Sequence, residues 1–340
     1  MYLLTLITKI FHFLPEEIAH KFALSGLKFS YSIGLLKLLL GKNNIDKDIS
    51  DKSIGEITFK NKLGLAAGLD KDGEYIDSLS ALGIGFLEVG TVTPLQQQGN
   101  PKPRLFRNRA DKSLLNRLGF NNKGVEALVE KLKKRNSNIP IGVSIGKNFD
   151  TPNEEAYKDY LFCMEKVYKY SSYIAINISS PNTKELRELS NKKFLRDLLR
   201  IIKDKQNKLS ESFEYVPIFV KISPDEKLED LENICKSIIQ YEIDGIIASN
   251  TTVIHNNKNG YGGLSGTPLK EIANEKLSFI KKIVGNQVSI IASGGVMSAS
   301  DYQDKIDAGA DFVQIYTGFI FEGPKLIQDI LLGYPPQRKT

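Results

Sequence analysis

From residue 62 onward the chain repeats one unit eight times: a short apolar run, a polar or glycine-rich turn, and a helical pattern. The runs are 62–67 (KLGLAA), 84–90 (IGFLEVG), 140–145 (PIGVSI), 172–178 (SYIAINI), 216–222 (VPIFVKI), 243–249 (IDGIIAS), 288–293 (VSIIAS) and 311–316 (DFVQIY). Near-continuous apolarity marks parallel strands covered on both faces, whereas a half-exposed strand alternates. Helical patterns separate the runs, for example at 122–135, 154–170, 191–209, 228–241 and 269–284. Eight such units over about 280 residues predict an α/β fold, a closed (β/α)8 TIM barrel. An open doubly wound sheet is the competing arrangement. The count of eight, and the lack of a GxGxxG opening the first helix, favour the barrel.

Ahead of the barrel lie two strongly apolar stretches, 3–14 (LLTLITKIFHFL) and 33–40 (IGLLKLLL). The first is broken by Lys9 and His12 and the second by Lys37, so neither reaches the ~18 uninterrupted apolar residues of a spanning helix. No positive start precedes the first run and no small-x-small site follows it, which argues against a signal peptide. Pro15-Glu16-Glu17 reads as a helix start, with proline in the first turn and acids at the positive end of the dipole. The expectation is an N-terminal extension of two or three short amphipathic helices, serving either as a cap on the core or as a patch lying on a membrane.

Composition narrows the function classes. With 41% hydrophobic and 25% charged residues the chain is an ordinary globular protein. Two cysteines, both in helical patterns, make no disulfide framework, and three scattered histidines (His12, His20, His255) argue against a zinc site. The net charge of +6 is dispersed, and its densest run, KLKKR at 131–135, reads as a solvated helix face, so no nucleic-acid partner is expected.

In a barrel of this kind the site lies at the C-terminal strand ends. Those ends read AAGLDKDG, EVGTVTP, IGKN, NISSPNT, VKIS, ASNTT, ASGG and IYTG. They form a ring of uncharged hydrogen-bonding groups with two lysines, Lys71 and Lys221, and few acids, Asp70 and Glu88. Such a ring suits a planar ligand with amide and carbonyl edges and some negative charge. It does not suit a metal or a glycosidase carboxylate pair. Ser293-Gly294-Gly295 and Tyr316-Thr317-Gly318 follow the last two runs, the usual phosphate position, and Gly262-Gly263-Leu264-Ser265-Gly266 could complete the cradle.

Taken in order, AAGLDKDG, EVGTVTP, GNPKPRLFR, NRLGFNN, IGKN, NISSPNT, VKISP, SNTT, GGLSG, SGGV and YTG cover essentially the whole chain. In this order they resemble the dihydroorotate dehydrogenases, specifically the quinone-dependent, membrane-associated class 2 group. The resemblance implies an FMN-containing barrel that oxidises dihydroorotate to orotate in pyrimidine biosynthesis and passes the electrons to a quinone. It implies Ser180 as the base at substrate C5, where class 1 enzymes use a cysteine. On residue type alone Ser180 would simply bond its own loop backbone, as serine commonly does before proline. Around the substrate the resemblance places Lys71, Asn116, Arg117, Leu118, Gly119, Phe120, Asn177, Asn182, Asn250 and Thr251. Around FMN it places Ala67, Gly68, Leu69, Asp70, Lys71, Thr91, Ser144, Asn177, Lys221, Ser249, Gly266, Gly295, Tyr316 and Thr317. Lys221 would supply a fixed cation beside the flavin pyrimidine. Ser144 stands where the family usually has Asn, and Ser249 where it usually has Thr.

The same resemblance implies that residues 1–40 form a membrane foot and quinone tunnel, with His20 and Arg107 at the quinone, ahead of a catalytic barrel domain 41–340. It further implies peripheral attachment to the cytoplasmic side of the cell membrane. Two other readings compete with it: a soluble class 1-like enzyme using fumarate or NAD, and a non-catalytic membrane-associated barrel. The serine, the apolar extension and the absence of a cysteine from any strand-end loop weigh against the class 1 alternative.

Overall fold

The computed structural model describes residues 8, 10–40, 53–182, 186–190, 192–253 and 259–333. Residues 3–7 and 9 of the first apolar stretch, Thr183 of NISSPNT, His255, and the 41–52 segment at the expected domain boundary lie outside them. Eight parallel strands close into a barrel: β1 (Leu63–Leu65), β2 (Phe86–Val92), β3 (Ile141–Ile145), β4 (Tyr173–Asn177), β5 (Ile218–Ile222), β6 (Gly245–Ala248), β7 (Ser289–Ser293) and β8 (Phe312–Ile315). Each overlaps one of the eight apolar runs. The helices are α1 (Glu16–Ser32), α2 (Leu35–Leu40), α3 (Ile76–Ser80), α4 (Val125–Lys133), α5 (Ala156–Val167), α6 (Lys192–Ser210), α7 (Leu228–Gln240), α8 (Lys270–Val284), α9 (Ala299–Asp307), α10 (Thr317–Glu322) and α11 (Pro324–Leu331). From α3 onward they follow the strands and cover the sheet's outer face, which buries Leu87, Val143, Ile174 and Val220 completely.

A closed sheet must fill its own interior. At the N-terminal end it does so with aromatic rings: Phe59, Phe86, Tyr173, Phe219 and Phe312 pack with Ile54, Ile247 and Ile291 under the hairpin Ser53–Ile54/Ile57–Thr58. Room for the rings comes from the neighbouring strands. A Cβ on Gly142 would stand 2.0 Å from the Tyr173 ring, and one on Gly245 would stand 2.0 Å from that of Phe219. Register carries the order upward, with Asn177 of β4 paired to Lys221 of β5 at the other end.

The sequence reading contained no antiparallel sheet, yet four short strands form one: Leu105–Asn108, Ser113–Asn116, Gly263–Gly266 and Thr252–Val253. They belong to the long excursions after β2 and β6, so they lie over the C-terminal rim. Helix α1 docks beside this sheet through its two acids: Arg104 Nε donates to Glu17 Oε1 at 2.8 Å, and the Arg107 backbone N–H donates to Glu16 Oε1 at 3.1 Å. Its outer side leaves Ile18, Phe22 and Phe29 exposed, continuing to Ile33 and Leu38. Among the described residues no helix is long and apolar enough to cross a membrane.

One buried group is poorly served by the fold. Lys305 on α9 is 1% exposed, and its Nζ has no hydrogen-bond partner among the described residues. Burial pushes its pKa down to about 8. The unfolded chain therefore holds more protons than the folded one between about 8 and the ordinary 10.5, and stability rises with pH across that window. Lys305→Met is expected to stabilise the protein by roughly 1–3 kcal/mol at pH 7 and to remove that rise, as read by chemical denaturation at pH 7 and pH 10. A less stable variant at pH 7 would mean that Asp301 and Asp304 compensate the ammonium fully.

Candidate active site

The strand ends and the antiparallel sheet enclose a cavity. Of the residues expected at a site, its wall contains Ala67, Gly68 and Lys71 after β1, Thr91 in β2, and Asn116, Leu118, Gly119 and Phe120 from the β2 excursion. It also contains Asn177, Ser180 and Asn182 at β4, Lys221 on β5, and Ser249, Asn250 and Thr251 after β6. Gly266, Gly295, Tyr316 and Thr317 complete it. Among the described residues no carboxylate, imidazole or thiol lines this wall, and its only ionic side chains are Lys71 and Lys221.

Four expected residues stand outside the wall. Leu69 turns to a second cavity. Asp70 accepts the Glu74 and Tyr75 backbone N–H groups at 2.8 Å each and so caps the turn into α3; burial raises its pKa to about 6. Arg117 reaches away, donating to the carbonyls of Asn259 (2.7 Å), Tyr261 (3.2 Å) and Pro103 (3.3 Å) while stacking over Phe106. Ser144 is fully buried behind Thr91, hydroxyl to hydroxyl at 2.8 Å.

Within the wall the amides hold one another. Asn177 Nδ2 donates to Thr91 Oγ1 (2.9 Å), Asn182 Nδ2 to Asn116 Oδ1 (3.0 Å), Asn116 Nδ2 to the Gly263 carbonyl (3.1 Å) and Asn250 Nδ2 to Ser179 Oγ (3.1 Å). Two buried acceptors, Asn182 Oδ1 and Gln314 Oε1, are left without a partner among the described residues. Buried orphan acceptors are rare, and they present themselves to N–H groups of a ligand. Ser180 is buried, and its Oγ accepts the Asn182 N–H at 3.3 Å, the local serine turn that residue type alone suggested. Lys71 donates to the Gly68 carbonyl at 3.2 Å; burial first, then Arg104, lowers its pKa to about 8. At the far end of the cavity Gly295 has φ +76°, and a Cβ there would sit 2.3 Å from Lys270 Cα, so bare backbone faces the cavity.

The second cavity lies between α1 and the barrel. It is largely apolar, lined among others by Phe11, Leu24, Leu27, Leu36, Leu69 and Phe319. His20 and Arg107 both open onto it. Burial, reinforced by the charge of Lys71, lowers the His20 pKa to about 4, so the ring is neutral at pH 7. His12, set aside in the sequence as scattered, lines the same cavity: its Nε2 lies 3.1 Å from the Ile320 carbonyl, and its own carbonyl accepts from Arg107 Nη1 at 2.8 Å. Pro15 between His12 and His20 hides their common direction. Leu105 and Leu114 line both cavities and form a partition between them. Both cysteines are buried away from either cavity, in α5 and α7, and burial raises their thiol pKa values.

The family profile described as dihydroorotate dehydrogenase matches residues 50–335. A relative from Shewanella pealeana named dihydroorotate dehydrogenase (quinone) is 47% identical over 328 residues, covering 94% of this chain and 96% of its own. Another with the same name, from Buchnera aphidicola, is 47% identical over 333 residues, covering 96% and 98%. The crystal structure of DHODH from Eimeria tenella in complex with ferulenol superposes with a TM-score of 0.84 at 34% identity, covering 93% of this chain and 89% of that one.

One residue outside the wall fastens three rim loops at once. Arg187 donates from Nε to the Ser179 carbonyl (3.2 Å), from Nη1 to Asp225 Oδ2 (2.7 Å) and from Nη2 to the Thr251 carbonyl (3.1 Å). Asp225 in turn accepts the Val253 N–H at 2.9 Å. Nothing in the local sequence marks this arginine, because its partners lie on the loops after β4, β5 and β6. Arg187→Ala is expected to lower stability by about 1–3 kcal/mol and to raise amide hydrogen exchange at 178–182 and 250–253 at least tenfold. Unchanged exchange there would show that the loops hold without it.

Proposed function

The chain belongs to the dihydroorotate dehydrogenase family, and we propose that it oxidises dihydroorotate to orotate with FMN as its resident cofactor and a quinone as final acceptor, a step of pyrimidine biosynthesis. One observation carries the reading: a polar cavity walled by serine, amides and two lysines, and among the described residues by no carboxylate, imidazole or thiol, meets an apolar cavity across two leucines. FMN fits the first cavity on three counts. Orphan acceptors suit its ring N–H, Lys221 suits negative charge on its pyrimidine end, and the bare backbone around Gly295 suits its phosphate. When bound, FMN supplies the acceptor for the hydride equivalent lost from the substrate and the relay of both electrons to the quinone.

The chain's own part is to position and to move a proton. Forming the ring double bond requires a proton to leave C5 and a hydride equivalent to leave the adjacent carbon. Ser180 is the base for the proton. A hydroxyl is a weak base, so the proton must pass outward rather than rest on Oγ, and the Asn182 N–H at 3.3 Å helps hold the oxygen while it bears charge. Asn116, Asn177, Asn182 and Asn250 offer donors and acceptors to the amide edges of the pyrimidine without adding charge. Lys71, held at the Gly68 carbonyl, would bridge the substrate and the cofactor in this reading. Leu105 and Leu114 keep water of the polar cavity from the apolar one.

Residues 1–40 form the quinone side and the membrane foot in this reading. The exposed stripe Ile18, Phe22 and Phe29 on α1, with Phe13, Ile33 and Leu38, gives an apolar surface suited to the interface of a bilayer, and this supports the proposal of peripheral attachment, in this reading at the cytoplasmic face of the cell membrane. His20 and Arg107 offer polar contacts to a quinone head among apolar walls suited to its tail.

The reading is tested by dihydroorotate-dependent reduction of a quinone beside fumarate and NAD. Turnover with quinone alone supports it, preference for fumarate or NAD moves the chain to the class 1 type, and a protein that cannot be loaded with FMN leaves a non-catalytic barrel. Ser180→Ala is expected to bind orotate normally and to slow cofactor reduction by a factor on the order of 10²–10⁴ in stopped-flow measurements. Removing residues 1–40 should spare reduction by dihydroorotate while sharply lowering reoxidation by a long-chain quinone and co-sedimentation with liposomes; equal values for full-length and shortened protein would sink the assignment of this segment.

A further inference from the structure

Under the polar cavity sits a carboxylate that the proposed chemistry does not use. Glu88 on β2 is fully buried inside the barrel. Three side chains from three other strands converge on it: Gln314 Nε2 of β8 at 2.7 Å, the Tyr173 hydroxyl of β4 at 3.0 Å and Lys221 Nζ of β5 at 3.4 Å. Gln314 Nε2 also reaches the Tyr173 hydroxyl at 3.1 Å, closing the cluster. Lys221 and Gln314 line the cavity; Glu88 and Tyr173 stand behind them.

Packing does not explain this carboxylate. The layer below is filled by aromatic and aliphatic side chains, and an apolar residue in place of a buried ion pair is often neutral or stabilising. What Glu88 does have is control over two groups at the cavity floor. As an acceptor only, it draws the ammonium of Lys221 and offsets its charge. It also requires the amide NH2 end of Gln314, which leaves Oε1 as the atom without a partner.

We propose that Glu88 is a positioning residue that sets the net charge and the orientation of the groups Lys221 and Gln314 present to the cofactor, and thereby lowers its reduction potential below what an unopposed lysine would impose. The proposal rests on the FMN reading above. Reduction places negative charge on the cofactor, a lone cation stabilises that charge, and a carboxylate behind the cation weakens the effect. In a water-excluded barrel this opposition is only weakly screened by salt.

The test is the reduction potential of the FMN-loaded full-length protein, read by equilibration with a reference dye. Glu88→Gln keeps shape and most hydrogen bonds but removes the charge. It is expected to shift the reduced-to-oxidised ratio at a fixed potential at least tenfold towards reduced, a potential about 30 mV more positive for a two-electron couple. Tyr173→Phe removes one hydrogen bond and keeps the charge, and should shift the ratio less than twofold. A FMN-loaded Glu88→Gln protein within twofold of the parent, or a Tyr173→Phe shift as large as that of Glu88→Gln, would overturn the proposal. Should Glu88→Gln fail to fold or hold FMN, Lys221→Gln and the double variant decide. The double variant carries no net charge at the floor and should lie closer to the parent than Lys221→Gln does; equal potentials for the two would deny Glu88 any part. A parent protein that neither carries nor takes up FMN overturns the cofactor reading instead.

Discussion

Barrel closure is the constraint from which the rest of this molecule follows. Eight parallel strands with no free edge must each end on the same rim, so eight chain exits converge there. The interior has no solvent to satisfy it and must be filled by the strands' own side chains. At one end rings occupy the space that Gly142 and Gly245 vacate. At the other the strands end in small and polar residues, and the interior stays open. The site exists because filling stops partway up the barrel.

At that level the polarity of the interior changes from ring edges to amides and hydroxyls, and the bonding changes with it. An amide can donate to one neighbour while accepting from another, so Asn182, Asn116 and the Gly263 carbonyl form a chain across loops far apart in sequence. Charges are treated differently. Glu88 and Lys221 are placed as a pair at the boundary between filled and open interior, and Asp70 is used up on backbone N–H groups. The cavity therefore offers oriented neutral dipoles and two lysines, of which Lys221 is paired with Glu88 and Lys71 rests on the Gly68 carbonyl.

The eight strands were legible because apolar continuity is a property of each segment by itself. The ring of wall residues was legible too, since position at a strand end needs only the strand to be located. What escaped reading depends on partners distant in sequence. The strand Ser113–Asn116 pairs with Gly263–Gly266, some 150 residues away, and four-residue strands carry too little alternation to announce themselves. Arg187 gains its place only when three loops meet. The four residues outside the wall each have a partner elsewhere: Leu69 faces the second cavity, Asp70 caps the turn into α3, Arg117 reaches the Asn259 and Tyr261 carbonyls, and Ser144 bonds Thr91. The departure at Ser144 is consistent with this, since its hydroxyl meets Thr91 inside the wall and not the cavity itself.

The two cavities need each other's opposite. The polar one is walled by hydrogen-bonding groups; the other is walled mostly by apolar side chains, with Glu16, His20 and Arg107 among them. Among the described residues, only Leu105 and Leu114 of the rim hairpin are common to both walls. The same hairpin carries Arg107 and is tied by Arg104 to Glu17 of α1, so the element that divides the cavities also sets where the N-terminal helices sit. A neutral His20 extends that logic: hydrogen-bonded to the Leu69 backbone and beside Lys71, it adds a polar contact to the apolar side without adding charge. Leu105 and Leu114 thus stand between a polar and an apolar space because a short sheet lies between the barrel rim and the helix packed beside it.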